Sequence, residues 1–175
     1  MKIILITFLL AISFYVASQS SDTIYWSPSN KLVWSDFTGT PDYKSNQGAI
    51  SYCGITYSLS YNKFGYSFNV SCYFNKVKSW VSYFSNIGLI HEQGHFDIAE
   101  LFARKLRQAF ENYNFNQSTV KEDFKNIYND IIMRRAKFDN QYDTETNFSL
   151  NKIKQLGWNQ KILLQLDSLH KYQSQ

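Results

Sequence analysis

Residues 66–74 alternate in character, with Tyr66, Phe68, Val70 and Cys72 separated by Ser67, Asn69 and Ser71. A period of two marks a strand with one buried face. Residues 49–60, rich in Tyr, Ile and Thr, form a second strand candidate, and Asn62-Lys63-Phe64-Gly65 between the two can turn the chain into a hairpin. The pattern then becomes helical: Ile87, Leu89 and Ile90 lead to Phe96, Ile98, Leu101, Phe102 and Leu106, so a central helix is expected over residues 87–113. Gly88 and Gly94 lower its propensity and need a reason, which at Gly94 is either a close helix contact or an approaching substrate. Thr119-Val120-Lys121-Glu122 has capping-box spacing ahead of a stripe of Val120, Phe124, Ile127, Ile131 and Ala136. The polar, acidic residues 139–147 read as a connection. Residues 150–169 read as a last helix with Ile153, Leu156, Leu163, Leu164 and Leu166 inward. Ahead of the hairpin, residues 31–34 suggest a short strand and Gly39-Thr40-Pro41-Asp42 a turn, while residues 76–86 stay open between loop and short helix. The expected fold class is α+β, an N-terminal antiparallel sheet followed by a central helix and C-terminal helices.

The first twenty residues are of another kind. Lys2 precedes a nearly unbroken apolar run over residues 3–17, followed by the small residues Ser18 and Ser20, the pattern of a secretory signal peptide over residues 1–20. The run is shorter than the roughly 20 residues a spanning helix needs. Export to the periplasm or outside the cell is therefore expected, with residues 21–175 as one domain and no stable membrane span in the mature protein. The formal charge of +4, one less without Lys2, makes no case for nucleic acid. In an oxidising compartment the two cysteines, Cys53 and Cys72, are expected to form a disulfide, with two buried free thiols in neighbouring strands as the alternative.

Candidate chemistry concentrates in His91-Glu92-Gln93-Gly94-His95 on the expected central helix. Residues four apart share a helix face, so both imidazoles can reach one zinc ion, and Glu92 beside the first can take a proton from water as general base. A catalytic zinc usually takes three protein ligands and keeps a position for water. The third histidine of the longer helical zinc motifs is absent, because Ile98 and Leu101 stand where a glycine and a histidine would be required. Asp143 is the first candidate for the missing ligand, with Glu145, Glu122 and His170 as alternatives, whereas Glu111 lies turns away on the same helix. Tyr142 is a candidate donor to a developing oxyanion, and Asp97 and Glu100 are candidates to orient the imidazoles by hydrogen bonds. The chemistry indicated is hydrolysis of an amide bond in a peptide or protein substrate. A noncatalytic periplasmic or surface binding protein is the competing class.

The stretch from His91 through Leu101, followed by Ala103-Arg104-Lys105-Leu106, closely resembles the bacterial DUF922 family of inferred secreted zinc-dependent proteases. The resemblance extends to Val33-Trp34-Ser35-Asp36-Phe37-Thr38-Gly39, Ser79-Trp80-Val81 and Tyr142-Asp143-Thr144-Glu145-Thr146. It implies a zincin-like α+β domain and an exported zinc metallopeptidase. It also implies a histidine where this chain has Phe148, so the third ligand must come from another side chain if the metal is kept.

Overall fold

The computed structural model describes residues 22–174, so the segment read as a signal peptide lies outside the described residues. The fold is mixed α and β, as expected. In chain order the strands are β1 (Thr23–Tyr25), β2 (Ala49–Ile50), β3 (Cys53–Asn62), β4 (Gly65–Asn75) and β5 (Trp80–Val81). The helices α1 (Asn86–Glu111), α2 (Val120–Thr146) and α3 (Lys152–Ser168) follow. β4 lies between β1 and β3 in an antiparallel three-stranded sheet, and β2 pairs with β5 in a separate two-stranded ladder.

The hairpin forms where the alternation placed it, with Asn62 opposite Gly65 and Cys53 opposite Phe74. Val70, Cys72 and Phe74 are buried on one face of β4 while Ser67 and Asn69 are exposed. Cys72 pairs with Ile55 rather than with Cys53, so the two cysteines stand diagonally on the same face, and both are free thiols. A diagonal pair lies about 7–8 Å apart, beyond the usual reach of a disulfide. The expected bridge is therefore corrected to two free thiols.

Four other expectations also change. Residues 31–33 form no strand, because this segment is tied to α1 instead: the Leu32 N–H donates to Gln93 Oε1 at 2.8 Å. The turn expected at Gly39 falls at Asp42, whose carbonyl accepts from the Ser45 N–H at 3.0 Å. Thr119 precedes α2, but its side chain makes no capping bond. Residues 139–146 are the last two turns of α2 rather than a connection. Asn140, Gln141 and Thr144 face solvent while Asp139, Asp143 and Thr146 turn toward α1, and Phe124, Ile131, Phe138 and Tyr142 form the apolar inward row with Ala136 facing out.

The chain leaves α2 through Asn147, Phe148 and Ser149, which have φ of 47°, 50° and 75°. Left-handed backbone is unfavourable for all three residue types, though least so for Asn. The turn is held by Phe148 N–H on the Asp143 carbonyl at 3.0 Å and Asn151 N–H on the Thr146 carbonyl at 2.8 Å. It sends α3 back along α1. The buried face of α3 is Gln155, Trp158, Ile162 and Leu166, whereas Ile153, Leu156, Leu163 and Leu164 are exposed, contrary to expectation. The sequence carries two stripes on this helix, and the one with Trp158 wins because its ring packs against Tyr142 and Phe138.

α1 is the central element, packed on β3 and β4 on one side and on α2 and α3 on the other. Near its C-terminal end Phe110 stacks on Phe124 with centroids 4.0 Å apart, and Tyr57, Tyr66, Phe68 and Tyr113 close around them. Such ring pairs contribute beyond their buried area, which fixes the start of α2 against the hairpin. Among the described residues no helix is long and apolar enough to cross a membrane.

One charge is fully buried at this end. Glu100 receives Arg104 Nε and Arg107 Nη1, each at 3.0 Å. The same guanidiniums hold the C-terminal segment, Arg104 through the Leu166 carbonyl at 2.7 Å and Arg107 through the Tyr172 carbonyl at 2.8 Å. Removing one partner from a buried ion pair leaves uncompensated charge, which costs about 3–5 kcal/mol. Glu100→Ala is accordingly expected to lower stability by about that amount, read as a drop in the urea midpoint, with Glu100→Gln falling in between.

Candidate metal centre

His91 and His95 sit one helical turn apart in the N-terminal half of α1, whose start is capped by Ser85 Oγ accepting from the Gly88 N–H at 3.0 Å. Their rings are 4.9 Å apart and perpendicular. The carboxylate of Asp143, from the last turn of α2, meets both: its Oδ1 lies 3.1 Å from His91 Nε2 and 3.0 Å from His95 Nε2. Among the described residues, His91, His95 and Asp143 form the group whose ligand atoms could hold a metal, all lying within 4.8 Å of one another. Zinc bonds of about 2.0–2.1 Å in a tetrahedron put neighbouring donors about 3.3 Å apart, close to the two nitrogen–oxygen separations found here. Two imidazoles and one carboxylate also suit zinc chemically.

The second nitrogen of each ring is occupied. His95 Nδ1 is 3.0 Å from Asp139 Oδ1, and Asp139 Oδ2 accepts from Arg135 Nε at 3.1 Å. Arg135 in turn donates to the Cys53 carbonyl at 2.9 Å, so this chain of contacts runs from the edge of β3 to the imidazole. His91 Nδ1 faces Gln155 Oε1 of α3 at 3.0 Å. Burial by itself would lower the pKa of His95, but Asp139 and Asp143 on its two nitrogens, assisted by Glu92, outweigh it and push the value up to about 10. Burial would raise the Asp143 carboxyl, yet hydrogen bonds from His91 and His95 hold it well below the usual carboxylate range.

Glu92 is buried beside this group but stands outside the donor set, and its Oε2 accepts from Ser51 Oγ at 2.5 Å. Tyr142 lies against the site in a different role from the one expected. Its ring stacks on His91 with centroids 4.6 Å apart, and its hydroxyl points inward, donating to the His91 carbonyl at 3.1 Å and accepting from Gln155 Nε2 at 2.6 Å. Burial raises its pKa. Tyr142 is thus a packing and spacing residue and not an oxyanion donor. Gly94 supplies the room for it, because a Cβ at position 94 would run into the Tyr142 hydroxyl and ring. A close helix contact therefore accounts for this glycine.

The remaining candidates lie elsewhere. Asp97 accepts from Trp26 Nε1 at 2.8 Å and Gln93 Nε2 at 2.9 Å, and Glu100 is consumed by its two arginines, so neither orients an imidazole. Glu145 takes Gln141 Nε2 at 2.7 Å and Trp158 Nε1 at 2.9 Å. Glu122 pairs with Lys125 in the first turn of α2, about 30 Å along the helix axis from Asp143 at 1.5 Å per residue. Glu111 pairs with Lys171. His170 lies in a C-terminal turn beside a cavity of about 780 Å³ lined in part by Trp26, Leu32, Ile90, Ile162 and Leu166, and none of the three donors lines that cavity. Ser51, Asp139 and Gln155 were missed as site residues. Asp139 was findable, since its spacing of four from Asp143 mirrors that of the two histidines once residues 139–146 are read as helix; Ser51 and Gln155 carry no local signal.

Residues 74–149 match a family model described as bacterial protein of unknown function, DUF922. The match is a likeness over 76 of the 175 residues. It runs from the end of β4 to the turn after α2, and so contains His91, Glu92, His95, Asp139 and Asp143 but neither Ser51 nor Gln155. Within the matched segment Phe148, where a histidine was expected, is half-exposed on the left-handed turn five residues after Asp143. No curated protein and no solved structure matches the chain.

Two outcomes follow from this geometry. Gly94→Ala is expected to cost about 1–3 kcal/mol through overpacking against Tyr142 and to weaken metal binding by displacing the helix that carries Asp143, both read from thermal melts with and without zinc. For metal-free protein, the raised His95 value gives stability that is fully present below about pH 6.5 and is lost as pH rises toward about 10. The lowered Asp143 value gives stability present above about pH 4 and lost on acidification. Melting temperature measured against pH in chelator is therefore expected to peak between those limits and fall through the alkaline range.

Proposed function

We propose that this chain is an exported zinc-dependent peptidase on a zincin-like scaffold, hydrolysing peptide bonds in peptide or protein substrates. The observation that carries the reading is the convergence of His91, His95 and Asp143 next to a carboxylate, Glu92, that is outside the donor set. Export rests on the hydrophobic pattern of residues 1–20. His91, His95 and Asp143 would hold zinc, which when bound would supply Lewis acidity toward water and the scissile carbonyl.

The chain's own residues do the rest. Ser51 occupies one oxygen of Glu92 and leaves the other to accept a proton from water as it attacks the carbonyl carbon. The same carboxyl returns that proton to the leaving nitrogen as the C–N bond breaks. Asp139 and Gln155 keep the two imidazoles aimed at Asp143 from behind. The inward hydroxyl of Tyr142 favours one second reading, a zinc-holding domain that binds peptide without turnover.

Glu92→Gln separates the two readings. It is expected to keep stoichiometric zinc and lose at least about a hundredfold of hydrolysis, the lower end of general-base contributions, in an assay on an unfolded protein substrate. Asp143→Ala is expected to lose the zinc itself. Undiminished hydrolysis by Glu92→Gln would sink the peptidase mechanism, and metal analysis showing full zinc in Asp143→Ala would sink the donor set.

A further inference from the structure

We infer that Gln155 is a positioning residue of the metal centre, whose buried amide holds the proton of His91 on Nδ1 and so ties the docking of α3 to metal binding. The inference rests on the metal reading above, and concerns a residue six positions beyond the family match.

Gln155 is fully buried, and both ends of its amide are used. Nε2 donates to the Tyr142 hydroxyl at 2.6 Å and to Asn159 Oδ1 at 2.9 Å. The Tyr142 proton is directed to the His91 carbonyl, which can only accept, so the hydroxyl's lone pair faces Gln155. With Nε2 committed to two acceptors, Oε1 is the atom turned to His91 Nδ1, at 3.0 Å. A carbonyl-type oxygen can only accept, which requires the proton on Nδ1. A ring without that proton would set lone pair against lone pair at Nδ1, in a buried place.

The consequence is that Nε2 of His91, the nitrogen facing Asp143, is the one that can exchange its proton for a metal while Nδ1 keeps its own. Thr146 Oγ1 also lies near Nδ1, at 3.4 Å, but its proton goes to the Tyr142 carbonyl at 2.7 Å. Gln155, at 3.0 Å, is the shorter contact. Because this amide sits on α3, a metal that selects the Nε2 lone pair also selects the docked position of α3. Coupling of this kind is reciprocal in free energy.

The test uses the mature chain, with zinc affinity from chelator competition, the visible spectrum of the cobalt-loaded protein, and hydrogen exchange over residues 152–168. Zinc is expected to slow exchange in α3 of the wild type. Gln155→Met, close in shape but without an acceptor, is expected to raise the zinc dissociation constant about ten- to a hundredfold, change the cobalt spectrum and abolish the added protection. Gln155→Glu, which keeps an acceptor toward Nδ1, is expected to restore affinity. Zinc binding by Gln155→Met within about twofold of wild type, with the same cobalt spectrum, overturns the inference; should that variant fail to fold, Gln155→Asn, which withdraws the amide by one methylene, is judged by the same criterion. A wild-type chain that takes up no zinc overturns the metal reading itself and this inference with it.

Discussion

Two imidazoles on α1 meet two carboxylates on α2, and the packing of the helices and the chemistry of the site both follow from that contact. His91 and His95 are spaced four apart, as are Asp139 and Asp143, so each pair lies on one helix face and the two rows can mesh. A buried polar face of this sort is unfavourable unless every group finds a partner. Here no buried side-chain nitrogen or oxygen among the described residues lacks one. The separation between the helices is set by Tyr142, which fills the space beside His91, and by the missing side chain at Gly94.

Each functional side chain is steadied by a different part of the fold. The sheet edge reaches His95 through Arg135 and Asp139, Ser51 between β2 and β3 reaches Glu92, and α3 reaches His91 through Gln155. A site supported from three directions is held in geometry by the elements around it. The buried Glu100 group acts at a distance from it, fastening the C-terminal segment to α1 and completing the packing of α3 against the central helix. On the proposed reading, proton and metal would compete for the same atoms, since the carboxylates that favour a charged His95 are the groups that would stand beside or bind a cation.

The alternation of residues 66–72 and the apolar spacing after Ile87 were enough to place the hairpin and α1, because each depends on a periodicity internal to one segment. The pairing of His91 with His95 was legible for the same reason. The polar composition of residues 139–146 points to a connection, although Phe138 and Tyr142 continue the inward row begun at Phe124 and the segment is helix. On α3 two apolar stripes compete, and nothing within residues 150–169 says that Gln155 and Trp158 go in while Ile153 and Leu156 stay out.

The sequence by itself determined the hairpin and the central helix, and that two imidazoles and an adjacent acid share one turn of helix. Only the tertiary structure decided that Asp143 rather than Glu145 or His170 joins them, that Tyr142 turns its hydroxyl inward, and that Ser51, Asp139 and Gln155 complete the surroundings. The physical reason is range. Periodicity is set by backbone geometry over a few residues, whereas the partner of a buried polar atom is chosen by which distant helix face can satisfy it at about 3 Å.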